Sequence, residues 1–303
     1  MKQKTQTEGT DRKLRSLLSL NQVEYESLLE VFEEAVTHKL SMYTLKGKLR
    51  KRLSYEEQPN SSLYGAARKL EFMLMYMKEN PNQSYQGYAF GMSQSKVSEW
   101  VHFLSPVLEE SLKKMGFMPQ NGTYYTCQAE DADYLLMDVT ERSVPRRSDI
   151  EAQKEEYSGK KKSHTMKNLA ITDPDGYILF LSDSYEGKVH DKAIWDDLVV
   201  EPFEQNLLVD LGFLGIEKTH PNAIIPFKKP RKSELTKGQK SINKVISSLR
   251  IRIEHAFSGV KRLKIIRNKI RLKSYDIRNQ MMRIAVALHN LITTFRKPII
   301  TQS

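Results

Sequence analysis

Cysteine is all but missing. Cys127 stands alone in 303 residues, which excludes a disulfide framework and any cysteine-ligated zinc site and fits a reducing compartment. No apolar run reaches the roughly 18 residues that a membrane span needs. The opening stretch, Met1 to Glu8, is too polar for a secretory signal. Internal repeats and low-complexity tracts are absent as well. Core material is present: 39% of the residues are hydrophobic, with 14 Tyr and 11 Phe, so disorder is excluded for most of the chain. The sequence predicts a soluble, intracellular globular protein with room for two domains and a small third.

Acids are scarce in the last quarter. From Lys228 to Ser303 only Glu234, Glu254 and Asp276 face 20 Lys and Arg, a balance of +17 within a whole-chain net charge of +11. The first 227 residues carry the opposite balance, −6. Concentrated charge of one sign repels itself unless something anionic meets it, and nucleic acid is the commonest such partner. A solubilising basic face would have the same composition.

Residues 11–40 read as helix, with Asn21 and Glu24 spaced as a capping box. A basic run, Lys46 to Arg52, follows without a clear period and reads as a loop or extended arm. From Leu63 to Met77 apolar residues recur every three or four positions, which makes a helix that Asn80-Pro81-Asn82 ends. A short helix from about Tyr85 to Phe90 and the Gly91 turn precede a third helix, N-capped by Ser93 and expected to close at Pro106. Three helices with a glycine-containing turn before the last are the pattern of a tri-helical helix-turn-helix. A plain helical hairpin packed on the next domain has the same spacing. On the third helix Ser95, Glu99 and His102 point away from the apolar face, flanked by Lys96 and Ser98. Short polar residues at a helix start can reach base edges in a major groove.

After Gly122 the period changes. Strands are expected at Tyr134–Thr140, His164–Ile171, Tyr177–Leu181, Leu207–Asp210 and Ala223–Pro226, with a tight turn at Asp173–Gly176 and a short helix from His190 to Leu198. Helices from about Lys237 to Lys264 and Asp276 to Phe295 finish the chain. The fold class is therefore mixed α+β and α/β: an all-α helix-turn-helix region, then an α/β domain on a mixed five-stranded sheet. The domain bounds are 1–60 for a helical segment and basic arm, 61–118 for the helix-turn-helix, and 130–303 for the α/β domain.

Two of these strands end on an aspartate, Asp138 and Asp210, and ligands of mixed α/β sheets bind beyond the strand ends. In the Lys237 helix the apolar set Val245, Ile246, Leu249, Ile253, Ala256, Phe257 and Val260 forms one stripe. Glu254 falls at its edge, with Arg250 and Lys261 on the same flank. Ion pairing with those cations is one role for Glu254; a third converging carboxylate is the other. Three carboxylates without His or Cys suit hard divalent cations. Two such ions about 4 Å apart would drive an in-line phosphoryl displacement, while basic residues hold the phosphodiester backbone.

Five stretches stand in order: Leu135 to Arg142, Tyr157 to Lys167, Gly187 to Lys192, Leu208 to Phe213 and Arg252 to Arg262. Together they resemble the DDE-superfamily insertion-sequence transposases related to PIF/Harbinger elements, and Gly91 to Ser98 resembles the helix-turn-helix preceding that core. The resemblance implies a ribonuclease H-like catalytic domain over 130–303 and a triad of Asp138, Asp210 and Glu254. It implies two Mg²⁺ per site, with Mn²⁺ as a substitute. The implied partner is double-stranded DNA, as terminal inverted repeats and as target, handled by a homodimer or larger complex without a membrane, in the nucleoid of a prokaryotic cytoplasm. DNA contacts are expected from Ser95, Lys96, Ser98, Glu99 and His102, from Lys160, Lys161 and Lys162, and from Arg250, Lys261 and Arg262. Val139 departs from the glycine frequent in the family after the first aspartate. His190-Asp191 also matches a family stretch; it reads as an N-cap and first turn or as a metal ligand. A domesticated DNA-binding regulator and a nuclease on the same fold are the competing functions.

Overall fold

The computed structural model describes residues 11–297, Gln128 and Glu130 excepted; the polar opening read for a signal lies outside them. The chain forms two compact units, one from residues 1–118 with 261–303 and the other from 119–260.

The first unit is helical. The expected helix over 11–40 is two helices, α1 at 11–18 and α2 at Gln22–Met42, because Ser19 turns into the left-handed region at φ 69° and Asn21 starts a new helix. The capping box forms as read: Asn21 Oδ1 accepts from Glu24 N–H and Glu24 Oε2 from Asn21 N–H, both at 2.8 Å. α3 (Gly65–Glu79) ends on Asn80, left-handed at φ 48°. α4 (Gln83–Phe90) is capped by Asn82 and closed by Gly91 at φ 65°. A Cβ on Gly87 would lie 2.5 Å from the Met92 carbonyl, so only glycine lets α4 meet the next turn so closely.

Ser93 caps α5 (Gln94–Lys114), which does not close at Pro106 but runs two turns past it. A proline inside a helix costs about 3 kcal/mol. Here Val107, Leu108, Ser111 and Leu112 are buried beyond it, and the Ser105 hydroxyl donates to the Val101 carbonyl. Burial of that second stretch outweighs the missing backbone bond.

The second unit holds the sheet. Its strands are β1 (Gln120–Gly122), β2 (Tyr124–Tyr125), β3 (Tyr134–Ser143), β4 (Tyr157–Ser158), β5 (Ser163–Thr172), β6 (Ile178–Ser182), β7 (Tyr185–Glu186), β8 (Val199–Val200), β9 (Asn206–Leu208) and β10 (Ala223–Ile224). Eight of them make one mixed sheet, not five: the path β1-β6-β5-β3-β9-β10, with β4 and β7 also on β5. The additions are two- or three-residue strands, too short to show a period of two. β5 is antiparallel to β3 and β6, whereas β9 is parallel to β3 and β10 to β9. Helices α6 (Ile150–Glu156), α7 (Asp191–Asp196) and α8 (Lys237–Lys261) complete the unit. Leu135, Met137, Leu169, Phe180 and Val209 pack with Ile194 and Trp195 of α7 into its core. The predicted stripe of α8 is realised except at Val245, with Ile246 buried and Leu249 half-buried as well. Ile253, Ala256, Phe257 and Val260 are buried, whereas Val245 stays 57% exposed, since periodicity marks an apolar face without supplying a surface to cover it.

The chain then returns to the helical unit with α9 (Lys264–Arg267) and α10 (Tyr275–Phe295). Residues 261–303 thus pack with the helical unit, although the domain expected from the sequence runs over 130–303. Arg296, just past α10, reaches the fully buried Glu24 of α2 at 2.6 and 3.0 Å, and Asn290 donates to the Phe117 carbonyl.

Candidate active site and DNA-reading helix

The last paired residues of β3 and β9 are Leu136 and Leu208. Asp138 and Asp210 each lie two residues beyond that parallel pair, so the register delivers both carboxylates to one height where the β3–β9 pairing ends; β3 itself does not end on Asp138 as expected but runs on to Ser143 against β5. Asp138 remains within β3, opposite Ala170 of β5. Asp210 has left the sheet and caps a single 3-10 turn, Leu211–Phe213, its Oδ1 accepting from Gly212 N–H at 2.7 Å.

Burial pushes the Asp138 carboxyl up to about 6, helped by the negative charges of Asp210 and Asp191 and opposed by Arg250 and the Val139 N–H. Arg250 Nη2 stands 3.4 Å from Asp138 Oδ2, so α8 crosses the face of β3 that carries this aspartate. The Nε of Arg250 is buried and has no acceptor among the described residues. Its guanidinium is thus held by the carboxylate and not spread on the surface, as a simple backbone contact would be.

Asp191 joins the other two aspartates. It opens α7, with His190 as N-cap, and Lys167 Nζ donates to its Oδ1 at 2.9 Å and to the Val189 carbonyl at 2.8 Å. A Cβ built on Gly212 would lie 2.8 Å from Asp210 Oδ1 and 3.6 Å from Asp191 Oδ2, so the two carboxylates flank the same glycine. The loop before α7 is firmly seated. Gly187 donates to the Thr165 carbonyl at 3.0 Å, and any Cβ there would meet Thr165 Oγ1 at 2.1 Å and the Glu156 carbonyl at 2.8 Å. Sequence spacing alone does not single out Lys167. Its signal is a lysine inside a strand whose remaining residues from Thr165 to Thr172 are buried.

Glu254 lies one turn beyond Arg250 on α8, exposed and, among the described residues, without an ion pair or hydrogen bond. No three His, Cys, Asp or Glu side chains among the described residues are set closely enough to hold a metal ion outright. The donor set nevertheless has the right chemistry: carboxylate oxygens on neighbouring elements, without Cys, are what a hard divalent cation needs.

The remaining candidates divide between the units. Lys160, Lys161 and Lys162 are exposed at the tip of the β4–β5 hairpin. Lys261 and Arg262 belong to the helical unit, both half-buried. Burial, with Arg296 nearby, brings Arg262 down to about 10 against the pull of Glu24. On α5, Ser95, Lys96 and His102 are exposed, and Ser98 and Glu99 are half-buried. Lys96 Nζ holds Glu99 Oε2 at 2.9 Å and keeps that carboxyl below its usual range, while His102 Nδ1 lies 2.8 Å from the Ser98 carbonyl.

Residues 137–290 match the family model of the DDE superfamily endonucleases, and residues 62–114 match the helix-turn-helix of the same superfamily. The chain is 29% identical over 201 residues to the probable transposase for insertion sequence element IS702 of Microchaete diplosiphon, covering 66% of this chain and 71% of that one. No solved structure matches it significantly. The endonuclease match takes in half of the chain, including Asp138, Asp191, Asp210 and Glu254. The chain belongs to the DDE superfamily of endonucleases.

Proposed function

We propose that this endonuclease is a transposase that recognises the inverted repeats of its own element through α3–α5 and cuts and joins DNA where β3 and β9 stop pairing. The observation carrying the reading is the β3–β9 register, which sets Asp138 and Asp210 side by side. A ribonuclease H-like core is supported by the strand order β6-β5-β3-β9-β10, two antiparallel pairings followed by two parallel ones.

Asp138 and Asp210 would hold Mg²⁺, or Mn²⁺ in its place, two ions per site, with Glu254 as third ligand. When bound, the ions supply charge stabilisation for the attacking and leaving oxygens of phosphoryl transfer. The chain does the rest. Arg250 holds the Asp138 carboxylate in place, and Lys160, Lys161 and Lys162 hold the backbone on their own unit. Pairing two element ends calls for at least a homodimer. No helix among the described residues is long and apolar enough to cross a membrane.

A second reading has its own observation. Asp191 shares Gly212 with Asp210 and is fixed by Lys167, so it competes with Glu254 for the third place. Plasmid nicking in Mg²⁺ separates them. Asp138→Asn, Asp210→Asn and Glu254→Gln are each expected to abolish nicking and leave DNA binding intact, with Asp191→Asn still cutting. Nicking by Glu254→Gln but not Asp191→Asn would hand the role to Asp191. Nicking by Asp138→Asn would end the proposal.

A further inference from the structure

Between α2 and α3 runs the basic stretch that the sequence leaves as an undefined arm. It lies outside residues 62–114 of the helix-turn-helix match, yet it is built. Tyr43 and Leu49 pair as an antiparallel bridge. Thr44 N–H donates to the Lys48 carbonyl at 2.9 Å and Arg50 N–H to the Met42 carbonyl at 2.8 Å. Arg50 is spent inward: its Nε donates to the Leu40 carbonyl at 2.7 Å, and its guanidinium lies 4.8 Å from the centre of the Tyr55 ring. Farther along, Glu57 accepts from Gly65 N–H at 2.9 Å and binds the buried Lys69. Both ends of the arm are tied down.

These anchors leave Lys46, Lys48, Lys51 and Arg52 exposed, with no acid between Met42 and Tyr55. The turn stands beside α5. Leu45, Lys46 and Gly47 form one wall of a groove of about 610 Å³ whose other wall includes Ser95, Glu99 and His102. Lys46 Nζ lies 4.0 Å from Glu99 Oε1, and Lys96 takes the other oxygen, so the acid in the groove is already neutralised from both sides. A solvated charge run has no need of a folded turn. Cations set at fixed positions beside a helix suited to a major groove match an array of phosphates flanking that groove.

We propose that the turn and arm from Thr44 to Arg52 form a second DNA-binding element, gripping the phosphodiester backbone of the duplex that α5 reads. The proposal rests on α5 as a DNA-reading helix and adds the positioning contact that fixes it on the duplex. It contributes affinity without sequence preference.

The test is fluorescence anisotropy of the full chain over a salt series, with one duplex copied from DNA flanking the coding sequence and one random duplex. The variant Lys46→Gln/Lys48→Gln/Lys51→Gln/Arg52→Gln should bind both more weakly and keep their affinity ratio. Its plot of log affinity against log salt should flatten by about 0.9 for each phosphate no longer neutralised, about 2 to 4 in all. The charge-conserving variant Lys46→Arg/Lys48→Arg/Lys51→Arg/Arg52→Lys should restore the slope. A glutamine variant with the wild-type slope would overturn the proposal and leave the arm facing solvent or a protein. Wild-type chain that binds neither duplex would instead overturn the DNA-reading role of α5, and this proposal with it.

Discussion

The two units use charge in opposite ways. Around α5 the charged groups are exposed or answered pairwise, as Lys96 and Lys46 answer Glu99. Where β3 and β9 stop pairing, three aspartates gather on two cations: Arg250 answers Asp138 and Lys167 answers Asp191, and Asp138 is raised to about 6, chiefly by burial, with Asp210 and Asp191 adding to it. A surface that binds a polyanion needs cations that cost little to hold in water. A site that is to take a cation holds anions whose repulsion the cation relieves. The helical unit carries exposed charge, and the sheet unit a partly buried group of three aspartates on two cations.

The largest effect that would break this contrast is at Gly212. A Cβ there would collide with Asp210 Oδ1 and crowd Asp191, so Gly212→Ala should cut nicking by about 10- to 100-fold, the range for displacing the support of a metal ligand. DNA binding should stay within about twofold of wild type, because the crowded carboxylates are not the binding surface. Equal losses in both assays would erase the division of labour.

Next comes the reading helix. Ser95→Ala/Lys96→Ala/Glu99→Ala should lower the preference for end DNA over random DNA by about 1–3 kcal/mol for each base edge no longer read, as measured by competition binding. Preference equal to wild type would make α5 purely structural.

Gly187→Ala tests whether the loop before α7 is seated. The Glu156 carbonyl, 2.8 Å from the new Cβ, is backbone and yields poorly, so urea denaturation should show a loss of about 1–3 kcal/mol. An unchanged midpoint would mean that the loop is free.

The remaining effect is in pH. Asp138 titrates at about 6 in the folded chain, against an ordinary value of 3.8. The folded state holds this proton more tightly, so its stabilising contribution is full below about pH 4 and is lost as the pH rises through 6. Without divalent cations, wild type should therefore lose about 2–3 kcal/mol relative to Asp138→Asn between about pH 4 and 7. A difference that does not change with pH, by urea denaturation, would remove the burial of Asp138 on which the comparison rests.

Much of this was legible in the sequence for local reasons. Apolar runs ending on Asp138 and Asp210 announce themselves, and Asn21, Ser93 and Gly91 punctuate helices by chemistry that acts over three or four residues. What depends on distant partners was hidden. Pro106 reads as a stop until the burial of Val107, Leu108 and Leu112 is known. The amphipathic pattern of α10 says that one face is covered, not that the helical unit covers it. Asp191 looks like the first-turn acid of a helix; only Lys167, 24 residues earlier in the chain, and Gly212 reveal the company it keeps.

The central claim is that Asp138 and Asp210 form a cation site, and thermal unfolding at pH 7 with and without Mg²⁺ tests it most directly. A ligand that binds only the folded chain stabilises it by RT ln(1 + [L]/Kd). Wild type should gain about 2.7 kcal/mol at a Mg²⁺ concentration 100 times the dissociation constant, while Asp138→Asn and Asp210→Asn should gain little or nothing. An unmoved wild-type Tm, or an equal rise in both variants, would contradict the account.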